Sequence, residues 1–334
     1  MKALICKNNS IEIVEKPCPV LQDDKDAIVK VTAASICTSD LHIVHGFVPN
    51  AKNGVVLGHE FVGEVVEAGK GVKDFKKGDR VAVNCETFCG ECFYCKHGFV
   101  NNCINGGWML GCRIDGGHAE YVRVPYADNG LTKLPDNVSY EQALFVGDIL
   151  SSGYWGAELC EIKGGETVAV IGAGPVGLCA MQCAKFLNAS KVVAIDINNE
   201  RLELAKKLGF ADVIINPEKD ELPSGMDCVI ECAGAENTFE MAWKIARPNA
   251  IIAVVGMYEK NQILPLPQMY GKNLTFKTGG VDAIHCKDLV KLISQGKLNT
   301  DFLITHRFPF EKIEHAYKFF ENKTDNCLKI AVKF

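Results

Sequence analysis

Thr167-Val168-Ala169-Val170-Ile171-Gly172-Ala173-Gly174-Pro175-Val176-Gly177 decides the fold of this 334-residue chain. The run up to Ile171 is almost wholly apolar and reads as a strand buried on both faces. The stretch 176–187 that follows reads as a helix. Three glycines spaced G-x-G-x-x-G join the two. The first makes a tight turn and the second lets the backbone approach a pyrophosphate. The third lets the helix pack closely on the strand, with its N-terminus toward the phosphates. Gly172, Gly174, Pro175, Val176 and Gly177 are therefore candidate cofactor-binding residues. The motif alone is weak, and its strand–turn–helix setting is what gives it weight.

The alternation continues downstream. Strands are expected at 191–196, 213–215, 227–231 and 251–255, and a helix at 199–208. This α/β pattern predicts a doubly wound parallel sheet of the Rossmann type. Asp196 closes the second strand about 20 residues past the glycines, where a carboxylate accepts hydrogen bonds from the adenosine ribose hydroxyls. It would repel a 2′-phosphate. Ile197 follows it and Arg201 is the nearest cation, so NAD is expected rather than NADP. The bland alternative is a glycine-rich turn beside a surface aspartate.

Before residue 148 the character is different. Short alternating runs at 27–32, 61–67, 80–84 and 119–124 predict strands between turns, and Met1 to Lys7 reads as an edge strand. After Gly280, helices are expected at 287–295 and 310–322, and a closing strand at 329–334. The expected division is a mainly β domain over 1–148 and 285–334, interrupted by the α/β domain over 149–284.

The β half carries the chemistry. Cys37-Thr38-Ser39-Asp40-Leu41-His42, then Gly58-His59-Glu60, then Gly147-Asp148 supply a sulfur, an imidazole and a carboxylate. These are donors that hold a catalytic zinc with one position left open. Each has a plainer reading: Cys37 as a core thiol, His59 as a packed histidine, Asp148 as the cap of a helix starting near Ile149. Cys89, Cys92, Cys95 and Cys103 lie close enough together for a closed structural zinc site, with free thiols or disulfides as the alternative. Cys85 and Cys112 flank the quartet and are not expected to ligate, and Cys179, Cys183, Cys228 and Cys232 read as core. His97, His118, His285, His306 and His315 are expected at surfaces or caps.

Bulk properties narrow the function class. With 48% hydrophobic residues, 23% charged residues and a net charge of -5, the chain has a globular balance. It lacks the basic footprint of a nucleic-acid binder or of a protein that binds anionic membranes. No apolar run approaches the length of a membrane span, and the N-terminus lacks the apolar core of a signal peptide. Sixteen cysteines without an export signal fit a reducing cytoplasm.

Together, the segment from Gly58 to Val72, Gly78-Asp79-Arg80-Val81, the cysteine lobe and the glycine loop resemble the zinc-dependent medium-chain alcohol dehydrogenases over essentially the whole length. The resemblance implies a GroES-like catalytic domain around a Rossmann domain, NAD and two zincs per chain, a small-molecule alcohol or ketone substrate, and a homodimer or homotetramer. It implies that Cys37, His59 and Asp148 hold the catalytic zinc, with Glu60 as a fourth ligand when substrate is absent. Ser39 would take the alcohol proton and pass it toward His42, with His45 a weaker competitor. Aspartate at 148, where many relatives of this kind have cysteine, is similar to bacterial secondary-alcohol dehydrogenases and glutathione-independent formaldehyde dehydrogenases. Threonine and polyol dehydrogenases also use a carboxylate near this point. The expected substrate is a secondary alcohol, a diol or a larger hydroxylated compound. Phe47, Trp108, Met109, Leu110, Tyr154 and Trp155 are candidate pocket residues.

Overall fold

The computed structural model describes residues 1–334. The chain divides into two units, one of 1–151 and 282–334 and the other of 152–281. No helix is long and apolar enough to cross a membrane.

The second unit is built on six parallel strands. Their order across the sheet is Val213–Ile215, Lys191–Ile195, Thr167–Ile171, Met226–Glu231, Ala246–Val254 and Thr275–Thr278. Numbered along the chain this is 3-2-1-4-5-6, the doubly wound order, in which the strand sequence reverses beside the first strand. Val168 to Ile171 are all buried, as their unbroken apolar run requires when helices cover both faces. The helices Pro175–Phe186, Asn199–Lys207 and Thr238–Ile245 belong to this unit. Asn198 caps the second of these, accepting from the amides of Glu200 and Arg201. The edge strand Thr275–Thr278 was not legible in the sequence, because its residues are only half-buried or exposed.

The first unit holds two sheets. In the larger, Ile304–Pro309, Lys329–Lys333, Ala27–Ser35, Glu60–Ala68, Arg80–Val83 and Leu131–Lys133 lie side by side, and Tyr121–Val124 also pairs with Ala27–Ser35. The returning C-terminal segment thus enters the sheet directly beside Ala27–Ser35. The smaller sheet corrects one expectation. Lys2–Lys7 is its central strand, paired with Ser10–Glu15 on one side and Val55–Val56 on the other. Ala3 to Cys6 are all buried, so the absence of alternation there marks a covered strand and not an edge. Its hairpin turns through Asn8 and Asn9, both at positive φ, the conformation of a two-residue type I′ loop. A second correction concerns 310–322: a 3-10 turn over Phe310–Lys312 precedes the α-helix Ile313–Glu321.

Candidate active site and metal centres

Three chain segments meet around His59. Cys37 is the N-cap of the helix Thr38–Val44, held extended at φ -112 and ψ 155. Its amide donates to Asp40 Oδ2 at 2.9 Å, and the amide of Gly58 donates to Asp40 Oδ1 at 3.2 Å. Asp40, fully buried, therefore ties the helix start to the turn before His59. The same Oδ1 lies 3.3 Å from His59 Nδ1. Placing a carboxylate behind an imidazole fixes the ring and leaves the other nitrogen for a metal. That nitrogen, Nε2, is 3.2 Å from Asp148 Oδ2 and 3.1 Å from Ser39 Oγ, and Cys37 Sγ is 3.6 Å from the same Asp148 oxygen.

These separations fit a zinc ion. With zinc–sulfur near 2.3 Å and zinc–nitrogen and zinc–oxygen near 2.0 Å, a tetrahedral centre needs ligand edges of about 3.5 Å for S···O and about 3.3 Å for N···O. The ligand atoms of all three residues fall within 4.8 Å of one another, and all three residues are buried. Burial opposes charge on His59, but Asp40, Asp148 and Cys37 hold its pKa well above the ordinary value. Burial likewise opposes charge on Asp40, yet His59 brings its carboxyl down to about 2. Asp148 is lowered against its burial by bonding to His59. Two buried carboxylates and a thiol around one imidazole make an acceptor-rich hole that a divalent cation neutralises.

The other expected residues are placed as follows. Ser39 joins the trio through His59. Glu60 is fully buried but stands apart from the ligand set: its Oε2 is paired with Lys329, whose Nζ also donates to Ile36 O at 2.8 Å. Burial raises Glu60, with Lys329 opposing, to about 7. A buried ammonium needs a buried counter-charge, which is why Glu60 faces Lys329. His42 lies one helical turn from Ser39, half-buried, with its ring edge-on to Phe47. His45 pairs with Glu321 at the surface, 2.8 Å away. His118 is a correction: it is fully buried, its ring nitrogens engaged with Ser35 O at 3.1 Å and the Tyr317 hydroxyl at 3.0 Å. Leu110 is core, packed with Phe61 and Val83.

Cys89, Cys92, Cys95 and Cys103 form a second cluster with Sγ separations of 3.4, 3.6, 4.0 and 4.0 Å. A zinc bound by four thiolates has edges of about 3.8 Å. Amides of Cys89 and Glu91 already point at two of the sulfurs. Backbone hydrogen bonds hold Cys92 at about 6, whereas burial and the neighbouring Cys92 sulfur push Cys95 to about 12. Cys85 and Cys112 lie outside the cluster, buried. All the cysteines are free of disulfides.

In the second unit, Gly172 turns at φ +95, and a β-carbon on Gly177 would lie 1.7 Å from Gly172 O. Gly174 caps the helix and Pro175 opens it. A β-carbon on Gly174 would meet only Arg201, whose Nη1 would be 3.7 Å away, so the space over this turn is open to a phosphate. The amides of Ala173 and Asn198 donate to the two oxygens of Asp196 at 2.6 and 2.8 Å. Ile197 is exposed.

Sequence reasoning missed Asp40, Lys329 and Glu86. Asp40 sits inside the quoted cysteine segment, three residues past Cys37, where a capping-box partner belongs. Lys329 was hidden in a closing strand. Glu86 is buried, and burial together with Asp148 raises its carboxyl to about 8.

The family models for an alcohol dehydrogenase GroES-like domain and a zinc-binding dehydrogenase match residues 23–136 and 175–294. An alcohol dehydrogenase of Cupriavidus necator is 35% identical over 99% of this chain and 98% of its own length. This chain belongs to the zinc-dependent medium-chain alcohol dehydrogenase family. The structure of alcohol dehydrogenase TADH from Thermus sp. ATN1, 37% identical, superposes with a TM-score of 0.91 over 100% of this chain and 99% of that one. The NADP-dependent isopropanol dehydrogenase of Thermoanaerobacter brockii is 33% identical over 95% of this chain and 94% of its own length. As a member of this family, the protein is a zinc-type alcohol/ketone oxidoreductase with a GroES-like unit and a Rossmann unit.

Proposed function

We propose that the protein is an NAD-dependent dehydrogenase of a secondary alcohol, a diol or a larger hydroxylated compound, with Cys37, His59 and Asp148 as its catalytic zinc ligands. The carrying observation is the convergence of Cys37 Sγ, His59 Nε2 and Asp148 Oδ2, with Ser39 Oγ against the same imidazole nitrogen. Zinc, when bound, supplies Lewis acidity that lowers the pKa of an alcohol oxygen. Ser39 takes the alcohol proton, since a hydroxyl both accepts and donates, and half-buried His42 on the same helix returns it to water. Asp40 holds the His59 ring, and Lys329 holds Glu60 off the ligand set. Cys89, Cys92, Cys95 and Cys103 brace their loop around a structural zinc.

Gly172, Gly174, Pro175, Val176 and Gly177 would hold the dinucleotide, which when bound would supply the hydride acceptor. The Asp196 carboxylate favours ribose hydroxyls over a 2′-phosphate, which supports NAD, although the Thermoanaerobacter relative is named for NADP. Ile197 and Arg201 would flank that ribose. The β unit over 1–148 and 285–334 and the cofactor unit over 149–284 are taken as separate domains. Exposed Ile263, Leu266 and Tyr270, in the segment that leads into the edge strand Thr275–Thr278, support association with a second copy. The sixteen cysteines, free of disulfides, fit the reducing cytoplasm.

The test is dinucleotide reduction with a panel of primary alcohols, secondary alcohols and diols. NAD should exceed NADP in kcat/KM, and Asp196→Gly should shift the ratio toward NADP. Equal use of both cofactors by wild type, or a ratio unmoved by the substitution, would remove the cofactor reading.

A further inference from the structure

Beside the metal ligands lies a pair of buried polar atoms that nothing in the protein satisfies. Thr87 and Gly107 exchange backbone hydrogen bonds at 3.0 and 2.8 Å, which sets their neighbours Glu86 and Trp108 on adjoining backbone. Asn84 Oδ1 accepts from the Glu86 amide at 2.9 Å and fixes the segment. Glu86 is 8% exposed, and its Oε2 has no hydrogen-bond partner; neither has the buried Nε1 of Trp108. Arg113 does not answer the carboxylate by a hydrogen bond. Its guanidinium donates to the carbonyls of Trp108 and Gly106, at 3.1 and 2.9 Å.

Trp108 borders His59, and Glu86 stands opposite Trp108 on the paired backbone. The Trp108 ring stands edge-on to the His59 ring with centroids 5.6 Å apart. Glu86 Oε2 lies 3.8 Å from where a β-carbon on Gly107 would be. An orphaned buried acceptor or donor costs about 1–3 kcal/mol, so two such atoms next to a reaction centre call for a ligand that satisfies them. The donor–acceptor inventory then selects its chemistry. A hydroxyl accepts from the indole N–H and can either donate to the Glu86 carboxyl or accept from it. An ammonium has nothing to offer the indole, and a carboxylate has no proton to offer Glu86.

We propose that Glu86 and Trp108 form a subsite for a second hydroxyl group of the alcohol, which makes the substrate class a diol or higher polyol. This rests on the reading of Cys37, His59 and Asp148 as the catalytic centre.

The probes are butan-2-ol and butane-2,3-diol, which differ by that hydroxyl, assayed on the zinc-loaded enzyme with its preferred dinucleotide. Wild type should favour the diol in kcat/KM. Glu86→Leu should lower the diol-to-monol ratio by about 10- to 100-fold, the cost of a buried polar group that only the second hydroxyl satisfies. Trp108→Phe, which removes only the donor and keeps a ring against His59, should lower it in the same direction. A titration of tryptophan fluorescence with the diol should show the Glu86→Leu affinity falling by a similar factor. A ratio within threefold of wild type in Trp108→Phe and in any folded Glu86→Leu protein overturns the subsite. If the wild-type enzyme oxidises neither alcohol with NAD or NADP, it is the catalytic centre that fails, and the subsite falls with it.

Discussion

Replacing Asp40 by asparagine should loosen the catalytic zinc and leave the structural one in place. Asp40 is fully buried and serves three partners: the amides of Cys37 and Gly58 and the Nδ1 side of His59, at 2.9, 3.2 and 3.3 Å. Asparagine keeps the volume, but it retains a single acceptor oxygen and must turn an amide N–H₂ toward one of two N–H donors. A full charge pair at 3.3 Å in an effective dielectric near 20 interacts by about 5 kcal/mol. A metal-bound imidazole carries only part of such a charge, so the loss falls in the range of other carboxylates behind metal-ligating histidines, about 10- to 100-fold in affinity. The assay is competition with a chromophoric chelator, read together with total zinc per chain. One zinc should be released about 10- to 100-fold more readily, while the other keeps its wild-type affinity. If both zincs bind within threefold of wild type, Asp40 does not support His59; if both are lost together, its role is in folding alone.

Three further outcomes follow from the geometry. Gly177→Ala would drive a β-carbon to 1.7 Å from Gly172 O, so reduced-dinucleotide binding should fall below detection in a fluorescence titration; a Kd within threefold of wild type would refute the loop assignment. Lys329→Met would strand the buried Glu60 carboxylate at a cost of about 3–5 kcal/mol, seen as a lower urea midpoint. The Lys329→Met/Glu60→Gln double variant should recover most of it, and no recovery would show that the two residues are not coupled. Glu141 binds Arg307 at 3.1 and 2.7 Å and Lys333 at 2.8 Å, which holds its carboxyl at about 2. Because the folded pKa is depressed, this contribution is present above the ordinary carboxylate range and is lost as pH falls toward about 2. Glu141→Gln should therefore cost about 1 kcal/mol at neutral pH after solvent screening. The gap from wild type in urea unfolding should shrink between pH 5 and pH 3, and a gap constant with pH would contradict the pairing.

The parts legible in the sequence were those whose pattern is local. The Thr167–Ile171 strand, its glycine loop and the cysteine lobe each declare themselves within a dozen residues, because turn, helix start and ligand spacing are short-range demands. Cys37, His59 and Asp148 come from three distant segments, yet each carries its own signal: a thiol before a helix, a histidine between glycines, an acid before an apolar helix. What stayed hidden depends on tertiary partners. Lys2–Lys7 looked like an edge because pairing on its far side comes from Val55–Val56, two residues too few to read as a strand. His118 looked peripheral because its partners, Ser35 O and the Tyr317 hydroxyl, lie far away along the chain. Lys329 and Glu60 are 269 residues apart, and no spacing rule links them. Glu86 was passed over because a carboxylate in a polar-looking loop gives no hint that the fold buries it without a partner.

The most direct test of the account is made on His59→Ala, by elemental analysis together with alcohol-dependent dinucleotide reduction on the same preparation. Wild type is expected to hold two zincs per chain and to turn over a secondary alcohol or diol. The variant is expected to retain only the zinc of the cysteine lobe, to bind the dinucleotide as before, and to show no turnover. A His59→Ala protein that keeps both zincs and oxidises the alcohol at near wild-type rate would contradict the assignment of Cys37, His59 and Asp148 as the catalytic centre.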